Sequence, residues 1–465
     1  MQYATQSPTQ SRLPKSESFD QPGIIRKPVM AAALLMTLGG ILYVNPYSVL
    51  GFAYYLLIWH VLIFLFHRRD LGTFSFAFSI NSGLIALYYV VQTYVYPETY
   101  GTSSPLGSWT DDSYFFSLVA DSVPTGMQVR EYYYLYSHEF SNVLKAVSLL
   151  PIHHPMDVIF FQSGTAALLS TFVRRFMLVN GNDLKSANAA YVLTIICPFL
   201  LMNGGALLLR DTFAAALFIY SLSCVSERKW LLAVLAIMTQ LAIRPGTAII
   251  LLPAYFIIYL PNLRGLDAKK LAAFVFGLPV LVIIGVGLGA NLIDSSIFLQ
   301  YLDRISLDGR EVIADLTADA NANQIFLAIQ NMPFVLKFSL NGIYMFLYPF
   351  FNPASAFVGQ FFDTRAILLN LVVPIETLWL NAWFFAGAIT KFKAIPQQRN
   401  VVVAIIVSLL ILGTYSLQTR HKTIIYPIYY VIVAIGFARS TKAERRFGYI
   451  VSSALLASQI AINVR

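Results

Sequence analysis

Thirteen stretches of nearly uninterrupted apolar sequence follow one another along this chain. They lie at 28–44, 47–66, 73–95, 156–173, 188–203, 206–225, 230–243, 247–260, 271–290, 366–390, 401–417, 423–438 and 447–463. A helix crossing a hydrocarbon core of about 30 Å needs about 20 residues. Several runs are shorter, which is tolerated where neighbours bury the ends or where the protein encloses a hydrated recess. Hydrophobic residues make up 57% of the chain and charged residues 12%, and mean hydropathy is +0.65. Soluble domains carry about a quarter charged residues. The balance excludes a water-soluble enzyme, a nucleic-acid-binding protein and a disordered chain. The expectation is an all-α, polytopic transmembrane bundle of about thirteen spans, a single domain over 28–465. The two cysteines, Cys197 and Cys224, sit inside apolar runs, so neither a disulfide framework nor a metal knuckle is expected.

Residues 1–27 are polar and rich in Ser, Gln and Pro. They lack the basic start and small-residue cleavage site of a signal peptide, and read as a disordered cytoplasmic arm. With that arm inside, inner segments hold Arg68/Arg69, Arg174/Arg175/Lys185, Arg228/Lys229, Arg264/Lys269/Lys270, Lys391/Lys393/Arg399 and Arg439/Lys442/Arg445/Arg446. Counting the arm, 21 of the 32 basic residues then fall in short inner segments. That asymmetry sets the orientation. It also accounts for most of the +9 net charge, which would otherwise suggest a polyanionic partner.

Two outer loops are long. Residues 96–155 contain TSSPLGSWTDDSYFFSLVADSVPTG and then VREYYYLYSHEF; residues 291–365 contain an acidic segment and then PFVLKFSLNGIYMFLYPFF. The last stretch, over 333–351, is apolar enough to span. Spanning there inverts the basic-loop pattern downstream, so an interfacial or partly re-entrant helix is expected instead.

The remaining charges are informative. Asp111, Asp112, Asp121, Arg210, Asp211, Arg244, Arg420, His421 and Lys422 all fall on the outer side of this topology. Asn203-Gly204-Gly205 reads as a tight turn, which sets Arg210 and Asp211 one to two turns inside the next span. Arg244 follows a 14-residue run, a helix of about 21 Å that is too short to reach the outer surface unaided. Ionisable groups at such depth are costly and usually face a bundle interior or a hydrated cavity. Three helix ends thus aim cations at one outer cavity, with the first long loop able to set carboxylates above it.

A lipid-anchored phosphate or pyrophosphate whose sugar faces outward suits this layout. Arginine grips phosphate oxygens with two parallel hydrogen bonds, and cations stabilise charge on a departing phosphate. A carboxylate beside the acceptor hydroxyl can act as general base. Each element also has a plainer reading. TDDSY at 110–114 fits a helix N-terminal cap, with Thr110 capping and the aspartates favouring the helix dipole. Arg210-Asp211 can each pair with another helix. Arg244-Pro245-Gly246 fits a helix stop, and Arg420-His421-Lys422 an outer-loop charge cluster. His153-His154 lacks a metal-ligand partner set and reads as loop. Glu376, about ten residues into its run, is the most buried carboxylate expected, fit either for structural pairing or for function.

TDDSYFFSLV in a long outer loop, LLLRDTFAAALF opening a span and LQTRHKTIIYPIYYVIVA near the C-terminus resemble the multispanning GT-C glycosyltransferases and the related exopolysaccharide and O-antigen (Wzy-type) polymerases. The resemblance covers about 73–440 in short motifs. It implies a polyprenyl- or dolichyl-phosphate-linked sugar donor, a glycan or lipid acceptor, and a bacterial inner membrane. It implies Asp111 or Asp112 as catalytic base or as contact to Mg²⁺ or Mn²⁺, and Arg210, Arg244 and Arg420, with His421 and Lys422, as donor-phosphate contacts. Asp211, Asp121 and Glu376 are secondary candidates. GT-C enzymes place the acidic loop after the first helix, and here it follows the third. That departure keeps the polymerases, whose catalysis leans on outer-face arginines without metal, level with the transferases. A flippase or transporter is the competing class, but it is expected to show two related halves, and none are evident.

Overall fold

The computed structural model describes residues 23–95, 156–197, 210–243, 245–259, 270, 332–347, 371–391, 396–415 and 419–463. Among these residues the regular structure is all helical, without strands. The α-helices are α1 Gly23–Val44, α2 Val49–His67, α3 Leu71–Val95, α4 Met156–Val179, α5 Leu184–Ile195, α6 Arg210–Ser226, α7 Trp230–Ile243, α8 Pro245–Tyr259, α9 Phe334–Leu347, α10 Val373–Lys391, α11 Pro396–Tyr415, α12 Tyr426–Arg439 and α13 Lys442–Asn463. Short 3₁₀ turns join α1 to α2 at Pro46–Ser48, α2 to α3 at Arg68–Asp70, and α11 to α12 at Thr419–Ile424. Among the described residues, three helical stretches are long and apolar enough to cross a membrane: Arg26–Val44, Pro46–Val91 and Met156–Val179. The expected run at 271–290, most of the two long loops and residues 1–22 lie outside the described residues.

The core is built around α4, which packs on α2, α3, α5, α6 and α12. Its sequence suits that position. Ser163, Gly164, Thr165, Ala166, Ala167 and Ser170 let neighbours approach closely, as small residues do between membrane helices. Two of the hydroxyls donate back to their own helix, Thr165 to the Phe161 carbonyl (3.1 Å) and Ser170 to that of Ala167 (3.1 Å), while Ser163 Oγ is buried without a partner among the described residues. At Gly164 the indole of Trp59 on α2 stands where a Cβ would be. Accordingly 94% of an apolar 18-residue stretch within this helix is buried, against 28% of the corresponding stretches in Arg26–Val44 and Pro46–Val91. Those outer helices present Leu35, Leu42, Leu57, Leu65 and Phe66 outward, as lipid-facing helices do.

A second close packing joins α10, α12 and α13. A Cβ on Gly436 of α12 would collide with the Trp383 carbonyl and stand 2.8 Å from the amide nitrogen of Gly387, both on α10; one on Gly448 of α13 would strike the Ala382 carbonyl. These are backbone atoms, so the helices must part to admit a methyl group. Gly436→Ala is therefore expected to destabilise the fold by about 1–3 kcal/mol. The check is the melting temperature of purified protein in detergent, and a variant as stable as wild type would show that the helices do not touch there.

Local chemistry moves several boundaries from those expected. α1 begins at Gly23 rather than 28, with Arg26 donating to the Gly72 carbonyl and lying over the Phe76 ring (5.2 Å). α5 runs over 184–195 and not 188–203. Asp183 caps its first turn by accepting from the Ser186 amide (2.7 Å), and Pro198 disfavours helix in the residue before it. α13 starts at Lys442, not 447, because Thr441 and Glu444 form a reciprocal capping box: the Thr441 amide donates to Glu444 Oε2 (2.5 Å) and the Glu444 amide to Thr441 Oγ1 (3.4 Å).

α9 occupies the stretch expected to be re-entrant, and its 14 residues make a helix of only about 21 Å. Gly413 of α11 abuts Asn341, Leu410 abuts Gly342, and Phe346 lies with Ile405 and Leu409. So α9 descends antiparallel to α11 and ends near the middle of it. Its last carbonyls are met by side chains: Lys422 Nζ donates to Phe346 O (3.2 Å) and Gln459 Nε2 to Leu347 O (3.4 Å).

At one end of the bundle the basic turns converge. Arg175 of α4 donates to both carboxylate oxygens of Glu227 (Nη2 to Oε2 2.7 Å) and to Asp70, while Lys229 pairs with Glu227 (2.9 Å). Arg439 pairs with Asp183. Burial alone would raise the Glu227 carboxyl; the hydrogen bonds from Arg175 and Lys229 outweigh it and hold the group below the ordinary carboxylate range.

Candidate functional site

The opposite end holds those expected site residues that the structure describes. Thr419–Ile424 packs on α6, so the turn bearing Arg420, His421 and Lys422 lies against the helix that opens with Arg210-Asp211. Two segments that are 210 and more positions into the chain and some two hundred apart in sequence are thereby made neighbours. For Arg210, Arg420 and His421 only the backbone is described. Asp211 is buried at 2% exposure and Thr212 is buried beside it. Asp111, Asp112, Asp121, Arg244 and the pair His153-His154 lie outside the described residues. Among the described residues no three His, Cys, Asp or Glu side chains are grouped to hold a metal ion.

Lys422 turns inward. It is 6% exposed, and its ammonium sits at the C-terminal end of α9, where helix carbonyls leave partial negative charge. Beside it is a cavity of about 20 Å³, lined also by Thr377 and Asn381 of α10, Tyr426 and Tyr429 of α12, and Phe346. That volume admits about one water molecule. It is too small for a sugar ring or a pyrophosphate. Tyr429 donates to Asn381 Oδ1 (2.7 Å), and the Asn381 amide nitrogen is buried with no hydrogen-bond partner among the described residues. Phe384 stacks on Tyr429 at 5.1 Å and Tyr426 on Tyr430 at 5.7 Å, which makes the slot rigid.

Glu376 accepts from Tyr430 (3.2 Å) in the first turn of α10. It is only partly buried, and among the carboxylates expected at the site Asp211 is the more deeply buried. The expectation that Glu376 is the most buried carboxylate is thus corrected. Its neighbours Ile375 and Trp379 face outward (51% and 46% exposed), which puts Glu376 on the flank of its helix. Sequence reading overlooked Asn381, Thr377 and the tyrosines. The signal was present in Tyr426, Tyr429 and Tyr430, whose spacing sets three hydroxyls on one face of α12.

No protein-family model, no curated protein and no solved structure matches this chain.

Proposed function

We propose that this chain is a polytopic membrane glycosyltransferase of about thirteen spans, acting at the extracytoplasmic face of a bacterial inner membrane. It moves a sugar or oligosaccharide from a polyprenyl-(pyro)phosphate donor to a glycan or lipid acceptor, as a GT-C-like transferase or a polysaccharide polymerase. The packing of Thr419–Ile424 on α6, the helix that opens with Arg210, supports this reading, because both segments carry cationic side chains. Arg210 and Arg420, with Arg244 and His421, would grip donor phosphate and stabilise the charge left on it. Asp111 or Asp112 would take the acceptor's proton, alone or with a bound Mg²⁺ or Mn²⁺. Lys422 would serve from below, since its ammonium already engages Phe346.

A second reading, a transporter or flippase for lipid-linked oligosaccharide, draws on α9. A helix that stops within the bundle is a feature of transporter binding sites. The two readings separate with purified protein in liposomes bearing polyprenyl-linked sugar. Transfer predicts new glycosidic product, whereas translocation without product overturns it. If the arginines clamp phosphate, Arg210→Lys or Arg420→Lys should lower turnover more than donor affinity, because lysine keeps the charge but loses the planar fork. Wild-type turnover in both lysine variants argues for simple anchoring at the interface.

A further inference from the structure

The end of the bundle away from the candidate site carries a turn whose residue choice is unexpected. α6 closes in a Schellman motif: the Lys229 amide donates to Cys224 O (2.8 Å) and the Arg228 amide to Val225 O (3.0 Å). The residue between them must be left-handed, and Arg228 takes it with φ 61°. α4 closes in the same motif, the Asn182 amide donating to Met177 O (3.0 Å) and the Gly181 amide to Leu178 O (3.1 Å). There the left-handed residue is Gly181, φ 76°, the residue that adopts this conformation without steric cost. So the chain uses glycine at one such turn and accepts strain for a guanidinium at the other.

The surroundings of Arg228 indicate what that guanidinium is for. Arg175 holds Asp70 and Glu227 together, which brings the Arg68–Asp70 turn beside Arg228. Both carboxylates are occupied by Arg175 and Lys229. Arg68, Arg69 and Arg228 remain exposed, Arg68 lying over the Phe64 ring (5.1 Å), and no carboxylate pairs with them among the described residues. The chain beside these arginines is apolar and exposed: Trp230 is 60% exposed, Leu231 74%, Leu65 66% and Phe66 56%. Exposed cations bordering exposed aromatic and aliphatic side chains, at the end of helices fit to cross a membrane, match a phosphate headgroup above acyl chains.

We propose that Arg228, with Arg68 and Arg69, forms a binding site for the phosphate of an anionic phospholipid, with Trp230 and Leu231 seated against its acyl chains. The site stands independently of the catalytic reading, being at the other end of the bundle. The test titrates full-length protein in neutral detergent with phosphatidylglycerol or phosphatidylcholine, reading bound lipid by native mass spectrometry. Wild type should prefer phosphatidylglycerol. Arg228→Gly should weaken that affinity about fivefold, and Arg68→Gln/Arg69→Gln/Arg228→Gly about a hundredfold, with phosphatidylcholine unchanged. Arg228→Gly should also leave the lipid-free melting temperature no lower than wild type, since glycine suits the turn. Inorganic phosphate at equal concentration should not compete. Equal binding of both lipids by wild type, undiminished phosphatidylglycerol affinity in the triple variant, or a lower lipid-free melting temperature in Arg228→Gly overturns the proposal. So does full competition by inorganic phosphate.

Discussion

Replacing Asp111 or Asp112 by asparagine should reduce transfer from a polyprenyl-linked donor by about 10²–10⁴-fold in one of the two variants, the range general-base catalysis supplies. An amide cannot take the acceptor's proton and binds a hard cation poorly. The two positions should be unequal, because adjacent side chains point in different directions and only one can face a given acceptor. The plainer reading predicts something different. As a cap the pair is worth about 0.5–2 kcal/mol, and asparagine caps nearly as well as aspartate, so both variants would then be almost silent. A metal adds a second signature, activity lost to EDTA and restored by Mg²⁺ or Mn²⁺. The measurement is initial rate against expression level and elution profile, so that misfolding is told apart from lost chemistry. Two fully active asparagine variants would remove the pair from the mechanism and leave an arginine-centred polymerase.

The second large effect is on stability. Arg175→Met should cost about 3–5 kcal/mol, the usual penalty when one partner is removed from a buried charge network. Arg175, Asp70 and Glu227 are only 14%, 13% and 9% exposed, and the guanidinium is what separates two carboxylates drawn from different turns. Without it Lys229 alone pairs with Glu227, and Asp70 keeps only the charge of Arg174 nearby. Most of the cost is the stranded charge and not the lost attraction. Adding Asp70→Asn and Glu227→Gln to Arg175→Met should therefore recover much of the stability. Thermal unfolding in detergent followed by size-exclusion measures all three proteins. An Arg175→Met variant that melts with wild type would mean the network is solvated.

The elements were legible in the sequence because in an apolar chain each helix is a long run broken by polar turns. The 230–243 run and α7 coincide residue for residue. Boundaries failed where a single capping side chain decided them, at Asp183 and at Thr441–Glu444, since such signals are a few atoms and not a run. The pairings that shape the site were not legible at all. Lys422 meets a carbonyl 76 positions away and Glu376 a hydroxyl 54 away, and no period in the sequence records a contact at that range. Lys422 looked like one of three equivalent cations in Arg420-His421-Lys422. Its burial comes from the direction of its side chain in the turn, which composition does not encode.

The end of α9 has a consequence for how the protein is made. Helix-end carbonyls inside a bundle must find donors, and those serving Phe346 and Leu347 come from Lys422 and Gln459, 76 and 112 residues later in translation. When α9 leaves the ribosome neither donor exists yet. Until the last two helices arrive, these carbonyls must be served by other donors, water included. The contacts at this corner of the bundle are therefore completed only when the C-terminal segments pack against α9.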